Sequence, residues 1–154
     1  MIIEESLFST DIDNFVVHQA IVFDWYDGPR HGVCAMETPQ CEFVFDLISE
    51  RFNPKGMDDR LLRLRQLPFG SLQDVMSAVS ALGSPTFSVW IPVWSFETEE
   101  ERQSADRKIA SILGTSRQSD VILRTQDLQS FLGIWKVPEV DSLADVDWFA
   151  RFGI

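Results

Sequence analysis

The residues with the greatest potential for chemistry lie around a turn, Asp27-Gly28-Pro29, that joins two predicted strands. Two carboxylates, a guanidinium, an imidazole and two aromatic rings occur in this short segment: Asp24, Trp25, Tyr26, Asp27, Arg30 and His31. Polar, ionisable and aromatic groups on a loop that a rigid scaffold holds are a common way to build a site. We therefore expect a binding site at the tip of this hairpin.

A metal or catalytic site at the hairpin tip is the alternative. Asp24, Asp27 and His31 are suitable metal ligands, but no second group of His or Asp residues supplies further ligands. Ordinary turn chemistry also explains the Asp27-Gly28-Pro29 segment. His31 could return towards Asp24 across the hairpin, whereas His18 is roughly 20 Å along the strand from Asp24. The sequence predicts no metal ligand, no catalytic residue and no cofactor.

Catalytic motifs with known mechanics are absent from the sequence. It contains no glycine-rich phosphate-binding loop and no serine in a nucleophile elbow. The sequence therefore favours a non-catalytic protein over an enzyme. A small enzyme or ligand-binding domain, with its site beside the hairpin tip from Asp24 to His31, is the alternative hypothesis.

The 5 tryptophans suggest a second surface. Trp90 and Trp94 share one face of a predicted strand over residues 87–94, with Pro92 between them. Because proline cannot donate to a central ladder, this strand is expected at an edge or at a bulge. Tryptophan is enriched at binding hot spots, so the strand is a candidate docking surface for a partner or a second copy. The alternative is that a helix covers both tryptophans.

The charge balance limits the choice of partner. The 154-residue chain has 24 acidic and 13 basic residues, a net charge of -11. Such a chain repels nucleic-acid backbones and anionic membrane surfaces, and it attracts a basic protein. The acidic start does not resemble a signal peptide, and the apolar run over residues 87–94 is too short to span a bilayer. We expect a soluble, cytoplasmic protein.

Basic residues nevertheless cluster in one segment, at Arg51, Lys55, Arg60, Arg63 and Arg65. Arg63 and Arg65 fall on one face of a predicted strand, where they could fork around a carboxylate or a phosphate. Pairing with acidic residues of the chain itself is the alternative.

Cys34 and Cys41 lie in consecutive predicted strands and are expected to remain reduced, because two cysteines hardly make a disulfide framework.

Hydrophobic periodicity predicts the elements that position these groups. Strands are expected over residues 16–25, 32–36, 41–48 and 60–67, and the first is apolar on both faces, as in a central strand. A helical stripe follows Ser71, the expected N-cap, and ends before Gly83. Thr98 and Glu101 form a capping box for a second helix that ends at Gly114. A strand over residues 121–125 and two short helices, near Asp127 and over residues 142–149, complete the prediction.

Strands connected as hairpins, followed by helices, indicate an α+β fold. We expect one domain over residues 1–154. It should contain a mainly antiparallel or mixed sheet of five or six strands, with about three helices packed on it. The functional hypothesis is a small acidic protein-interaction module. Its concrete form is a bacterial immunity or antitoxin-type protein that blocks a basic partner such as a nuclease toxin.

Overall fold

The computed structural model describes residues 15–25, 29–38, 40–51, 59–87, 92–117, 120–124, 128–129 and 147–150. The strands in this part of the chain are β1 (Phe15–Trp25), β2 (Pro29–Thr38), β3 (Cys41–Arg51), β4 (Asp59–Leu67), β5 (Gly83–Phe87), β6 (Pro92–Phe96), β7 (Asp120–Arg124), β8 (Leu128–Gln129) and β9 (Asp147–Ala150). Helix α1 (Ser71–Ser80) follows β4, and helix α2 (Glu99–Leu113) follows β6.

The described strands form one mixed sheet in the order β5-β6-β9-β1-β2-β3-β4-β7, and β8 also pairs with β1. Strands β1 to β4 are antiparallel neighbours, whereas β9 runs parallel to both β1 and β6. The α+β class is confirmed. The expected numbers of strands and helices differ from the nine strands and two helices of the described residues.

The four strands predicted for the first half are all present, and β1 lies inside the sheet as its two apolar faces predict. One detail of β1 is different. A register shift between Val17 and Gln19 leaves His18 as an extra residue. The partners of Val17 and Ile21 are Met36 and Val33, which are three residues apart on β2. The two side chains therefore lie on opposite faces, although strict alternation placed them together.

Helix α1 buries the predicted stripe, with Leu72, Val75 and Val79 in the core. The predicted N-cap is wrong by one residue. Gly70 occupies the cap position with φ of 91°, and Ser71 is the first helical residue. A left-handed backbone favours glycine there, and glycine provides no capping side chain. The carboxylate of Glu42, on β3, takes over the capping role.

Helix α2 begins as the capping box predicts. The Thr98 hydroxyl accepts a hydrogen bond from the Glu101 backbone N–H at 3.1 Å. Ala105 and Ile109 face the core, and Gly114 is the C-cap residue. Local sequence signals are therefore sufficient to define this helix. Neither α1 nor α2, the helices of the described residues, is long and apolar enough to cross a membrane.

Residues 87–94 do not form one strand. Phe87 ends β5 and Pro92 begins β6, and the two strands pair antiparallel. Pro92 suits the first position of a strand, and Pro85 lies in β5 at one edge of the described sheet, where its missing N–H is tolerated. The single docking edge expected from the sequence is thus divided between two strands.

The two short helices expected near the end of the chain are also corrected where the structure describes them. Leu128–Gln129 is strand β8 and Asp147–Ala150 is strand β9, and both pair parallel with β1. Residues 130–146 lie outside the described residues. Apolar segments this short carry too little periodicity to distinguish a strand from a helix. Pairing with β1, which is distant in sequence, is what makes both segments strands.

The helices pack on one face of the sheet. Their core cluster joins residues of β1, β2, β3, β4 and β6 to α1 and α2, and includes Ile21, Phe23, Val33, Val44, Leu67, Val75, Trp94 and Ile109. The second face of the central strands is buried as well, with Val22, Phe45 and Leu64 at most 1% exposed. Both faces of the central strands therefore carry buried apolar side chains, and partly exposed charged side chains also lie within β3 and β4, at Asp46 and Arg63.

Candidate functional site

The hairpin end of the sheet contains part of the predicted site. Asp24 and His31 are register partners on β1 and β2. The exposed Asp24 carboxylate lies 3.9 Å from Arg30 Nε. The His31 ring packs edge-on against Phe23, with ring centroids 5.2 Å apart, and its Nε2 lies 3.3 Å from Asp46 Oδ1. A carboxylate–imidazole contact therefore forms, but its carboxylate belongs to β3.

Asp46 is the centre of a charged cluster that we call the Asp46 cluster, comprising Asp46, His31, Arg63 and Arg65. Its Oδ2 accepts a hydrogen bond from Arg65 Nη2 at 3.1 Å and lies 3.8 Å from Arg63 Nη2. The two arginines share a face of β4, as predicted, and they pair with an acidic residue of the chain itself. Because the side chains are 26–42% exposed, these pairs contribute little to stability.

The other predicted site residues fall into three groups. Trp25 ends β1, with its backbone opposite Pro29, while Tyr26, Asp27 and Trp90 lie outside the described residues. Trp94 is only 8% exposed and belongs to the core cluster with the helices. We therefore remove Trp94 from the candidate contact residues. Within the described residues, no three His, Cys, Asp or Glu side chains are placed to hold a metal ion.

The opposite end of the central strands carries a surface that sequence reasoning missed. The turn between β4 and α1, Pro68-Phe69-Gly70, presents Phe69 to solvent with 90% of the residue exposed. Among the residues whose side-chain exposure the structure describes, Phe69 is the one exposed large hydrophobic residue. Ser71 braces the turn, since both its backbone N–H and its hydroxyl donate to the Pro68 carbonyl, at 3.2 and 2.6 Å.

Glu42 fixes this turn to the sheet. Alternation along β3 predicts an outward-facing Glu42, yet the residue is only 9% exposed. Its two carboxylate oxygens accept hydrogen bonds from the backbone N–H groups of Gly70 and Leu72, each at 2.6 Å. The carboxylate thus caps α1 from a position 28 residues away in sequence, and its negative charge complements the helix dipole. Strand β3 and the Phe69 turn are thereby held as one unit.

A cavity of about 440 Å³ opens beside Phe69. Its lining is largely apolar with a few polar groups, and includes His18, Met36, Cys41, Phe69, Leu72 and Gln73. His18 is exposed at the β1 bulge, and its Nδ1 lies 3.3 Å from the Ala35 carbonyl. Because a carbonyl only accepts, Nδ1 donates this hydrogen bond, and the tautomer with its proton on Nδ1 leaves Nε2 as an acceptor. The cavity volume is within the range of ligand and side-chain pockets.

Neither Cys34 nor Cys41 forms a disulfide. Cys34 lies opposite Phe43 and Cys41 opposite Met36, so the cysteines occupy diagonal positions on β2 and β3. Diagonal neighbours are about 7–8 Å apart, farther than a disulfide spans. Burial, and secondarily the charge of Cys41, raise the pKa of the Cys34 thiol, and burial also raises the pKa of Cys41. Both thiols are therefore neutral and weak nucleophiles at neutral pH.

Comparison of the chain with protein-family models, curated proteins and solved structures finds no match. The described residues present two candidate surfaces, the Asp46 cluster and the surface around Phe69. They differ in character, since one is a charged cluster and the other is an exposed aromatic ring beside an apolar cavity.

Proposed function

We propose that this protein is an interaction module that binds a basic protein, and that Phe69 is the centre of the contact. The observation that carries the proposal is the 90% exposure of Phe69 on a hydrogen-bonded turn. An aromatic ring in water forgoes the stabilisation that burial would bring, and a partner that covers it regains that stabilisation. Aromatic anchors of this kind dominate the binding energy of protein interfaces.

The turn that presents Phe69 is organised before any partner arrives. Glu42 and Ser71 together satisfy the backbone of Pro68, Gly70 and Leu72. Because the backbone is already fixed, less conformational entropy is lost when the ring is covered. A protein contact is thus better supported here than at a loop that would have to order on binding.

The cavity beside Phe69 offers room for a side chain of the partner. Met36 and Leu72 provide apolar surface, and His18, which also lines the cavity, keeps Nε2 as a hydrogen-bond acceptor when Nδ1 donates to the Ala35 carbonyl. A lysine or arginine side chain combines an apolar stem with donors only, so it complements this combination. The net charge of -11 adds long-range attraction for such a partner.

The position of the contact differs from the sequence prediction. The hairpin end carries two acidic residues and three arginines among its described side chains: Asp24, Asp46, Arg30, Arg63 and Arg65. This balance does not favour a basic partner, so we move the proposed contact to the Phe69 surface. A toxin-blocking role, as in immunity and antitoxin-type proteins, remains the specific form of the proposal.

Replacing Phe69 with serine is expected to weaken binding by roughly 30-fold, because loss of a hot-spot aromatic costs about 2 kcal/mol. The chain is used to capture proteins from a lysate of the source organism, and the captured basic protein is then titrated against wild type and Phe69→Ser. Gln103→Ser, at an exposed position of α2, is the control and should bind like wild type. Wild-type affinity should also fall steeply with salt.

Two results would contradict this proposal. The first is a captured partner that binds Phe69→Ser and Gln103→Ser equally well. The second is wild-type binding that does not change with salt, since charge steering by a protein of net charge -11 requires salt dependence.

A further inference from the structure

We infer that the Asp46 cluster binds the oxyanion group of a small molecule, a phosphate or a carboxylate, through Arg63 and Arg65. This inference does not depend on the proposed protein contact, because the cluster shares no residue with the Phe69 turn or with the cavity beside it. It rests on three observations: the contacts that Arg63 and Arg65 make with Asp46, the Nε–H groups of the two arginines that have no partner, and the excess of positive charge in the cluster.

Each of the two guanidinium groups contacts Asp46 through Nη2 but not through Nε. Each has a side-on edge that carries Nε and Nη2, and this edge suits two oxygens of one anion. Asp46 contacts Nη2 of both arginines with the same oxygen, Oδ2, at 3.1 and 3.8 Å, while its Oδ1 faces His31. Neither arginine therefore makes the bidentate pair with Asp46 for which its geometry is suited.

The Nε–H groups of Arg63 and Arg65 are both shielded from solvent, and neither has a hydrogen-bond partner in the structure. Buried donors are nearly always satisfied, so two orphaned donors on neighbouring arginines call for an explanation. An oxyanion that reaches the Nε–Nη2 edges would satisfy both. The two arginine side chains as a whole are 42% and 31% exposed, so they have room to rearrange around it.

The local charge agrees with an anionic ligand. Among the described side chains of the cluster, two guanidinium groups face one carboxylate, and His31 adds a third potential cation. Asp46 acts as an intramolecular competitor for the same donors. The register also places Asp120 of β7 opposite Arg65, so we expect a modest affinity. The net charge of -11 disfavours a nucleic-acid ligand and leaves small anions as the candidates.

The test is an NMR titration that follows the arginine Nε–H signals at constant ionic strength. Inorganic phosphate is the first probe and acetate the second, and the tighter of the two identifies the ligand class. We expect a saturable shift of the Arg63 and Arg65 signals with one of these probes. Arg102→Gln, which removes an exposed arginine of α2 that pairs with Glu99, is the charge-matched control and should bind like wild type.

Three variants distinguish ligand binding from a structural role. Asp46→Asn removes the competitor and should tighten binding about fivefold, whereas Arg65→Gln should weaken it about tenfold. Arg65→Lys retains the charge but lacks Nε, so it should also bind weakly and it guards against misfolding of the glutamine variant. Saturable binding that Asp46→Asn strengthens supports the inference. No saturable shift with either probe, or equal affinity in wild type, Asp46→Asn and Arg65→Lys, would overturn it.

Discussion

Replacing Gly32 with alanine is expected to lower the free energy of unfolding by more than about 3 kcal/mol and the melting temperature by on the order of 10 °C. Gly32 lies in the buried part of β2, opposite Phe45 in the register. A methyl group there would collide with the Ile21 backbone carbonyl and lie 2.7 Å from Phe45 Cζ. The aromatic ring can tilt away, but the carbonyl belongs to the β1–β2 ladder and can move only if the pairing is disturbed.

Gly114→Ala is the matched control for this substitution. Gly114 has helical backbone angles, and an added Cβ would lie 3.4 Å from the Ala110 carbonyl, an ordinary contact. The free energy of unfolding of Gly114→Ala, measured by urea denaturation, should stay within about 0.5 kcal/mol of the wild-type value. Adding Phe45→Leu to Gly32→Ala should recover only part of the loss, because the contact with Ile21 remains. If Gly32→Ala were as stable as wild type, β1 and β2 would not approach each other closely enough at Gly32 to exclude a methyl group.

Replacing Glu42 is expected to destabilise the protein by about 2 kcal/mol for Gln and about 3 kcal/mol for Ala. The alanine variant leaves the buried Leu72 N–H group and the half-buried Gly70 N–H group without their acceptors. The glutamine variant retains one acceptor but points its NH₂ group at the second donor. Both variants also lose the negative charge at the start of α1. Urea denaturation of each variant measures the loss.

Glu97→Gln is the control for the change of charge, because Glu97 is exposed in the bend before α2. It should alter stability by less than about 0.5 kcal/mol. If Glu42→Gln were as stable as wild type, water would be satisfying the first turn of α1, and Glu42 would not brace the turn. That outcome would also weaken the case that Phe69 is held in place before binding.

Local signals in the sequence were sufficient to predict several helices and strands of the fold and the antiparallel pairing of its first four strands. The spacing of Thr98 and Glu101 predicted where α2 begins, and alternation in residues 41–48 predicted β3. Antiparallel pairing of β1 to β4 followed from short connections between consecutive strands. In each case the residues that determine the structure lie within a few positions of one another, so a single sequence contains the information.

The candidate sites depended on contacts that no local pattern encodes. The cap on α1 comes from Glu42, and the partner of His31 is Asp46; both carboxylates looked like outward-facing residues of an alternating strand. The register shift at His18 moved Val17 to the other face. Phe69 lies in the turn between β4 and α1 and belongs to no periodic apolar pattern, so only the three-dimensional structure shows that its ring is exposed.

The most direct test of the proposed function is photocrosslinking from position 69. Phe69 is replaced with p-benzoylphenylalanine, which keeps an aromatic ring at this position, and the protein is irradiated in a lysate of the source organism. A second protein carries the same group at Gln103. We predict an adduct with one basic protein from position 69 and none from position 103. No adduct from position 69, or the same adducts from both positions, would contradict the assignment of this surface as the contact site.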